Sequence, residues 1–330
     1  MNGAVSEKQP VLQIKDLKVR FQTQDGAVAA VDGLSLRVAP GEMLGLVGES
    51  GCGKSTTALA VMRLLPKYSR VAGGQVLLDG EDIVSLNERQ MRNVRGAKIA
   101  MIFQDALASL DPTMRVGQQI MEPLQLHRGL SRAHARRRAL ELLETVGLSS
   151  PERRMNQYAH EFSGGMRQRV MIATALSCDP HVLLADEPTT ALDVTVQRQI
   201  LNLLVQLRDM TGAGIVLVTH DVGVVSEVCD SVVVMYAGRE VELGPTERVF
   251  TLPRHPYTKG LLGSTLGESA DRSKPLYTIP GLPPNVIHLS PGCPFAPRCP
   301  RATEICREKM PALESVGPDQ RAACWHWNEE

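Results

Sequence analysis

The chain has 330 residues, enough for about two domains and a sizeable buried core. Its 36 basic and 36 acidic side chains cancel, so no global charge favours nucleic acid or an acidic lipid surface. The polar segment Met1 to Pro10 lacks the apolar run of a secretory leader, and no apolar stretch reaches the ~18–20 residues that cross a bilayer. A cytosolic chain is therefore expected, with any membrane association made through a partner. Seven cysteines in that compartment argue against a disulfide framework.

Residues 11 to 40 read as β-rich. Val11 to Ile14, Leu17 to Phe21 and Val28 to Val38 carry alternating or clustered apolar residues, and Asp25-Gly26 marks a hairpin turn. Next, Met43-Leu44-Gly45-Leu46-Val47 reads as a buried strand that leads into Gly48-Glu49-Ser50-Gly51-Cys52-Gly53-Lys54-Ser55-Thr56. That stretch fits G-x-x-x-x-G-K-[ST]. A helical pattern follows, with Ala58, Val61, Met62 and Leu65 on one face and Pro66 at its end. The glycines let the backbone curl so that several N–H groups face one hollow, with a helix N-terminus behind them. Lys54 is placed to reach the outer phosphates and Ser55 to offer its hydroxyl to Mg²⁺. A chance glycine-rich turn would not also have the strand before it and the helix after it, so a nucleoside triphosphate is the expected ligand. Phe21, just ahead of the loop, is placed either to stack on an adenine base or to fill core.

Residues 71 to 84 read as a short hairpin. Ile99 to Phe103 is a buried strand that delivers Gln104 to metal or attacking water, unless Gln104 is a plain strand exit. From Asp105 to about Cys178 the pattern is helical, with Ser131 as an N-cap, periodicity to Val146 and a stop at Gly147. Within it, Arg136-Arg137-Arg138 reads as a solvated face. Ser163-Gly164-Gly165 opens a helix and makes a second backbone anion site. Val182 to Ala185 is a buried strand that emits Asp186 and Glu187, whose side chains should diverge. One is suited to hold Mg²⁺ and the other to polarise water for attack on a γ-phosphate. Ala191-Leu192-Asp193 opens a helix that Gly212 stops. Ile215 to Thr219 is a further strand presenting His220, and Ser231 to Tyr236 is another, turning at Gly238.

Ten of the 21 prolines lie between Pro275 and Pro318, too many for long helices or central strands. In that segment Cys293, Cys299, Cys306 and Cys324 offer four thiolates, a soft set suited to an iron–sulfur cluster or Zn²⁺, with free cysteines as the remaining reading; the close cysteine pairs of structural zinc sites are missing.

Gly48 to Thr56, Gln104, Ser163 to Gly165, Asp186-Glu187-Pro188, Ala191-Leu192-Asp193 and His220 stand in the order and spacing of ABC transporter ATPases, which the chain resembles over residues 11 to about 262. Glu161 to Arg169, Met235 to Arg239 and His255-Pro256-Tyr257-Thr258 look like the oligopeptide/dipeptide and nickel importer branch, and within it the D-type subunit. The signature departs from the wider superfamily at Phe162 and Met166, and from the branch at Ala106 and Ala159.

The resemblance implies an α/β fold with a RecA-like core, an antiparallel β subdomain and a helical subdomain at about 105–178, followed by a Pro/Cys-rich domain at 263–330. It implies that Lys54 and the amides of Gly48, Ser50, Gly51, Cys52, Gly53, Ser55 and Thr56 hold ATP. Ser55, Gln104 and Asp186 would form the Mg²⁺ shell, Glu187 would be the general base, and His220 would sense the γ-phosphate. Ser163 and Gly165 would close in trans over nucleotide on a paralogous F-type ATPase. Similar tails resemble [4Fe–4S] binders. The implied assembly adds two membrane permeases and an extracytoplasmic binding protein, with this chain peripheral on the cytoplasmic face. Peptides are the expected cargo, with nickel and oligosaccharides open. The rival reading is a soluble ABC ATPase acting on nucleic acid or ribosomes. The neutral charge, the single cassette and the lack of zinc-ribbon spacing weigh against it.

Overall fold

The computed structural model describes residues 9–24, 26–190, 192–264, 278–284, 286–287 and 289–329. Met1 to Lys8, the turn residue Asp25, Ala191 and Pro275 lie outside the described residues. In chain order, β1 (Leu12–Thr23) and β2 (Gly26–Val38) precede β3 (Met43–Val47), which feeds α1 (Lys54–Val61). β4 (Ser69–Leu78), β5 (Glu81–Asp82), α2 (Glu88–Val94) and β6 (Ile99–Ile102) follow. The helical stretch holds α3 (Ala106–Ser109), α4 (Val116–Arg128), α5 (Arg132–Thr145), α6 (Pro151–Arg154) and α7 (Gly164–Leu176). Next come β7 (Val182–Asp186), α8 (Val194–Thr211), β8 (Gly214–Thr219), α9 (Val222–Val228), β9 (Ser231–Tyr236) and β10 (Arg239–Pro245). The chain closes with α10 (Thr246–Thr251), α11 (Pro256–Gly263), α12 (Glu304–Glu308), β11 (Glu314–Gly317) and β12 (Gln320–Ala322).

Two compact units emerge. The first comprises Met1–Leu12, Val38–Glu42 and Ser85–Val216. In it β6 and β7 pair in parallel, Ile99 opposite Val182 through Ile102 opposite Ala185. Every residue of that register is buried, as a parallel pair covered on both faces requires. Ser131 caps α5 by accepting from the His134 N–H, and Gly147 at φ 75° follows its end, as the sequence predicts. Arg136 and Arg137 are exposed, so the basic run is a solvated face. On α8 the stripe Ile200, Leu201, Leu203, Leu204 and Leu207 is buried; Asp193 caps the start and Gly212 at φ 70° ends it.

The second unit comprises Gln13–Arg37, Met43–Val84 and Leu217–Glu330. A four-stranded sheet runs β2-β1-β4-β5, and a second run is β11-β12-β10-β9-β3. β3 and β9 are parallel, Leu44 opposite Ser231 through Val47 opposite Val234. Gly45 lets α9 close on β3, because a Cβ there would meet Val225 at 2.6 Å.

The β-rich reading of residues 11–40 holds: the apolar segments at 11–14 and 17–21 lie on one strand, β1, continuous through Lys15 and Asp16, with Asp16 at φ 48°. Two expectations need correction. α1 ends at Val61 rather than running on to Pro66, because Arg63 turns to φ 52°. Among the described residues the tail has only short elements, as its prolines require, yet β12 is a central strand, paired with β11 and with β10, Glu242 opposite Ala322. The buried Glu242 carboxylate fastens that join, accepting from the Arg254 and His255 N–H groups at 2.8 and 2.9 Å and from Gln320 Nε2 at 2.8 Å.

Candidate active site

The phosphate loop belongs to the second unit. β3 is buried throughout and stops at Gly48, where φ is 154° and a Cβ would collide with the Met235 carbonyl. Gly53, at φ 108°, likewise rests on the Ala30 carbonyl, and α1 starts at the next residue, Lys54. These two positions admit only glycine. Ser50 and Gly51 lie exposed on the rim, Ser55 and Thr56 are half-buried, and the Cys52 side chain turns inward, where burial pushes its thiol pKa up. Lys54 is 5% exposed, and its ammonium donates to the Gly48 and Glu49 carbonyls at 2.7 and 3.0 Å. A buried ammonium resting on loop carbonyls is a cation already positioned for a phosphate.

The side chain of Glu49 is held from the tail. Arg298 donates from Nη1 to Glu49 Oε2 at 2.6 Å and from Nη2 to Oε1 at 2.9 Å, a two-pronged fork. The Glu49 N–H donates to the Tyr257 hydroxyl at 2.7 Å. Tyr257, Tyr236 and Phe295 form an aromatic cluster with ring centroids 4.6–5.4 Å apart, and the Arg298 guanidinium lies 5.9 Å from the Tyr236 and Phe295 centroids.

The first unit carries the carboxylates. Asp186 ends β7 and is 6% exposed, whereas Glu187 is half-buried with φ at 44°. A left-handed, non-glycine residue directly before a proline is strained backbone. It turns the Glu187 carboxylate so that Oε2 accepts from Gln104 Nε2 at 3.0 Å and from Thr190 Oγ1 at 2.9 Å. Gln104 is exposed just past β6. Ser163 and Gly164 are exposed at the start of α7, with Ser163 as N-cap. Gly165 packs against α8, where a Cβ would meet Val196 Cγ1 at 2.7 Å. Phe162, the signature departure, is buried with the Arg154 guanidinium 5.6 Å from its ring centroid. In the second unit, His220 is exposed directly after β8, and Phe21 is half-buried with its ring 5.8 Å from Tyr68.

All four tail cysteines line one cavity of about 20 Å³, together with His255, Phe295 and His326. Burial pushes the Cys293 thiol up to about 11, and the other three thiols add to the rise. Burial also raises the pKa values of Cys299 and Cys324. Thiols that resist ionising together are a donor set whose charge a soft cation would offset. Among the described residues no group of three or more His, Cys, Asp or Glu is arranged to hold a metal ion. The four thiols are a soft donor set, but they are not arranged as a formed ligand shell.

The family described as "ABC transporter" matches residues 31–190, and that described as "Oligopeptide/dipeptide transporter, C-terminal region" matches residues 241–306. The oligopeptide transport ATP-binding protein OppD of Salmonella typhimurium is 50% identical over 97% of this chain and 95% of its own length. OppD of Escherichia coli is 49% identical over 99% of this chain and 96% of its own. The chain belongs to the ABC transporter ATPases. The dimeric ATP-binding cassette MJ0796, in a post-hydrolysis state bound to ADP and Pi, superposes with a TM-score of 0.64 at 29% identity, over 71% of this chain and 98% of its own. In this ABC ATPase the α/β fold is thus the one implied by the sequence motifs, and the carboxy-terminal region is of the oligopeptide/dipeptide transporter kind. Among the described residues no helix is long and apolar enough to cross a membrane.

Sequence reasoning missed three parts of this ABC ATPase site. Thr190 on Glu187 lies only three residues downstream, a spacing that could have pointed to a turn. The left-handed Glu187 had no signal, because a following proline favours extended backbone. Arg298 had none, since it meets Glu49 across 249 residues of chain.

Proposed function

We propose that this ATPase energises a membrane importer of peptides through ATP-driven closure of two ATP-binding subunits. The observation that carries the chemistry is Glu187, strained in its backbone and held by Gln104 and Thr190 at the end of a buried strand. Glu187 is the general base that takes a proton from the attacking water. Lys54 and the backbone amides of Gly48, Ser50 to Gly53, Ser55 and Thr56 bind the β- and γ-phosphates, Phe21 stacks on the adenine, and His220 contacts the γ-phosphate. Ser55, Gln104 and Asp186 would supply the hard oxygen donors for Mg²⁺, which when bound would offset the charge of the phosphates.

Ser163 and Gly165 act in trans. The exposure of Ser163 and Gly164 at a helix N-terminus supports this role, because such a terminus is an anion site that needs a ligand from outside. The facing subunit is a paralogous F-type ATPase, and two membrane permeases and an extracytoplasmic binding protein complete the assembly, with this chain peripheral on the cytoplasmic face. Residues 11–262 form the nucleotide-binding domain, with the helical subdomain at about 105–178, and residues 263–330 form the Pro/Cys-rich domain. The peptide cargo is supported by relatives whose names specify oligopeptide transport. A [4Fe–4S] cluster on Cys293, Cys299, Cys306 and Cys324 is supported by their convergence on one cavity.

The test is Glu187→Gln in the assembled transporter. Turnover is expected to fall by about 10²–10⁴-fold, with ATP retained in a closed pair of ATP-binding subunits. Unchanged turnover removes Glu187 from this role.

A further inference from the structure

The loop that must receive a polyanion carries a carboxylate at its second residue. Glu49 follows Gly48 directly, and a charge there opposes every phosphate that enters. Three groups fix it: Arg298 on the side chain, Tyr257 on the N–H, and Lys54 on the carbonyl at 3.0 Å. The Arg298 side chain is 6% exposed and the Glu49 side chain 25%, so the pair is screened less than a surface ion pair. The remaining Arg298 donors are also placed, Nε on the Pro280 carbonyl at 2.9 Å and Nη1 on the Tyr236 hydroxyl at 3.3 Å. This bonding exceeds what an incidental ion pair has.

We infer that Arg298 is a positioning residue for ATP binding: it neutralises Glu49 and fixes the phosphate loop in its triphosphate-ready form, and the cysteine-lined cavity sets where Arg298 stands. The inference rests on reading Gly48 to Thr56 as the ATP site. Its second half follows from the local chain. Arg298 ends the one-turn 3₁₀ helix Ala296–Arg298, between Cys293 and Cys299. Ala296 in that turn, and Phe295 and Cys299 on either side of it, line the cavity. A change that repacks the four thiols therefore moves the arm that holds Glu49.

The experiment is equilibrium binding of ATP and ADP to the full-length protein at two salt concentrations. The variants are Arg298→Ala, Glu49→Gln, the double variant and Lys54→Ala. Arg298→Ala is expected to weaken ATP binding by about tenfold at low salt, to weaken ADP binding less, and to keep most of its effect at high salt, because the pair is partly buried. In the Glu49→Gln background the same change is expected to shift ATP affinity by less than about twofold, because no carboxylate remains to neutralise. An equal loss in both backgrounds overturns the inference, since a packing role would give that pattern. Should Arg298→Ala fail to fold, Arg298→Gln keeps a donor for the Pro280 carbonyl without the charge and carries the same comparison. Lys54→Ala separates the two readings. If it leaves ATP binding intact, the loop is not the site; if it abolishes binding while Arg298 and Glu49 prove uncoupled, only the Arg298 role fails.

Discussion

Glu187 and Glu240 place carboxylates in unusual surroundings for different reasons. Glu187 is turned by a left-handed backbone, whereas Glu240 sits in β10 beside a register shift. Burial pushes the Glu240 carboxyl up to about 7, against the opposing pull of the Ser35 N–H, which donates at 3.2 Å, and of the Arg321 and Arg239 charges. Between its ordinary value of 4.5 and 7 the folded chain keeps the proton and the unfolded chain releases it. Stability from this group therefore falls as pH rises through that window, by at most about 3 kcal/mol. His255 acts with the opposite sign. Burial lowers it from 6.5 to about 3, so stability is lost as pH drops below 6.5. Glu240→Gln isolates the first effect: in urea titrations the variant is expected to gain on the wild type from pH 5 to pH 8. A constant difference across that range rejects the assignment.

Helices α7 and α8 show how an element's function and packing share a residue. Gly165 lies in the segment proposed to meet a partner's nucleotide, yet its missing side chain is also what lets α8 approach, with Val196 at 2.7 Å from any added Cβ. Gly165→Ala would gain about 1 kcal/mol in helix propensity and lose about 1–3 kcal/mol to overpacking. Net destabilisation of about 1 kcal/mol is expected in the wild type, with the sign reversed in a Val196→Ala background, where the neighbouring methyls are gone. Denaturation midpoints of the four proteins check this. Identical shifts in both backgrounds would show that Val196 is not the obstacle.

At the scale of the molecule, the carboxy-terminal segment is the part least like an independent appendage. β12 extends the sheet from β10, Phe295 completes the Tyr236–Tyr257 aromatic cluster, and Arg298 reaches the phosphate loop. Its four cysteines face one cavity, where burial raises the thiol pKa values of Cys293, Cys299 and Cys324. The proposed cluster predicts that purification without oxygen, followed by iron, sulfide and zinc assay, returns about four irons and four sulfides per chain. Removal of the metal is expected to lower the unfolding temperature, because metal binding to a folded site stabilises it. Folded, metal-free protein from that preparation would reject the cluster.

By itself the sequence determined the local pieces: the buried strands, the helix starts at Ser131, Ser163 and Asp193, and the phosphate loop with its lysine. Each rests on periodicity, capping or glycine freedom within a few residues, so a short window suffices. It also determined that the tail would be short-elemented, because prolines forbid anything longer. Only the tertiary structure decided that β12 pairs with β10, that Thr190 and Gln104 share Glu187, and that Arg298 pairs with Glu49. Most of these contacts join residues tens to hundreds of positions apart. They depend on how hydrophobic burial brings the pieces together, which no local pattern encodes.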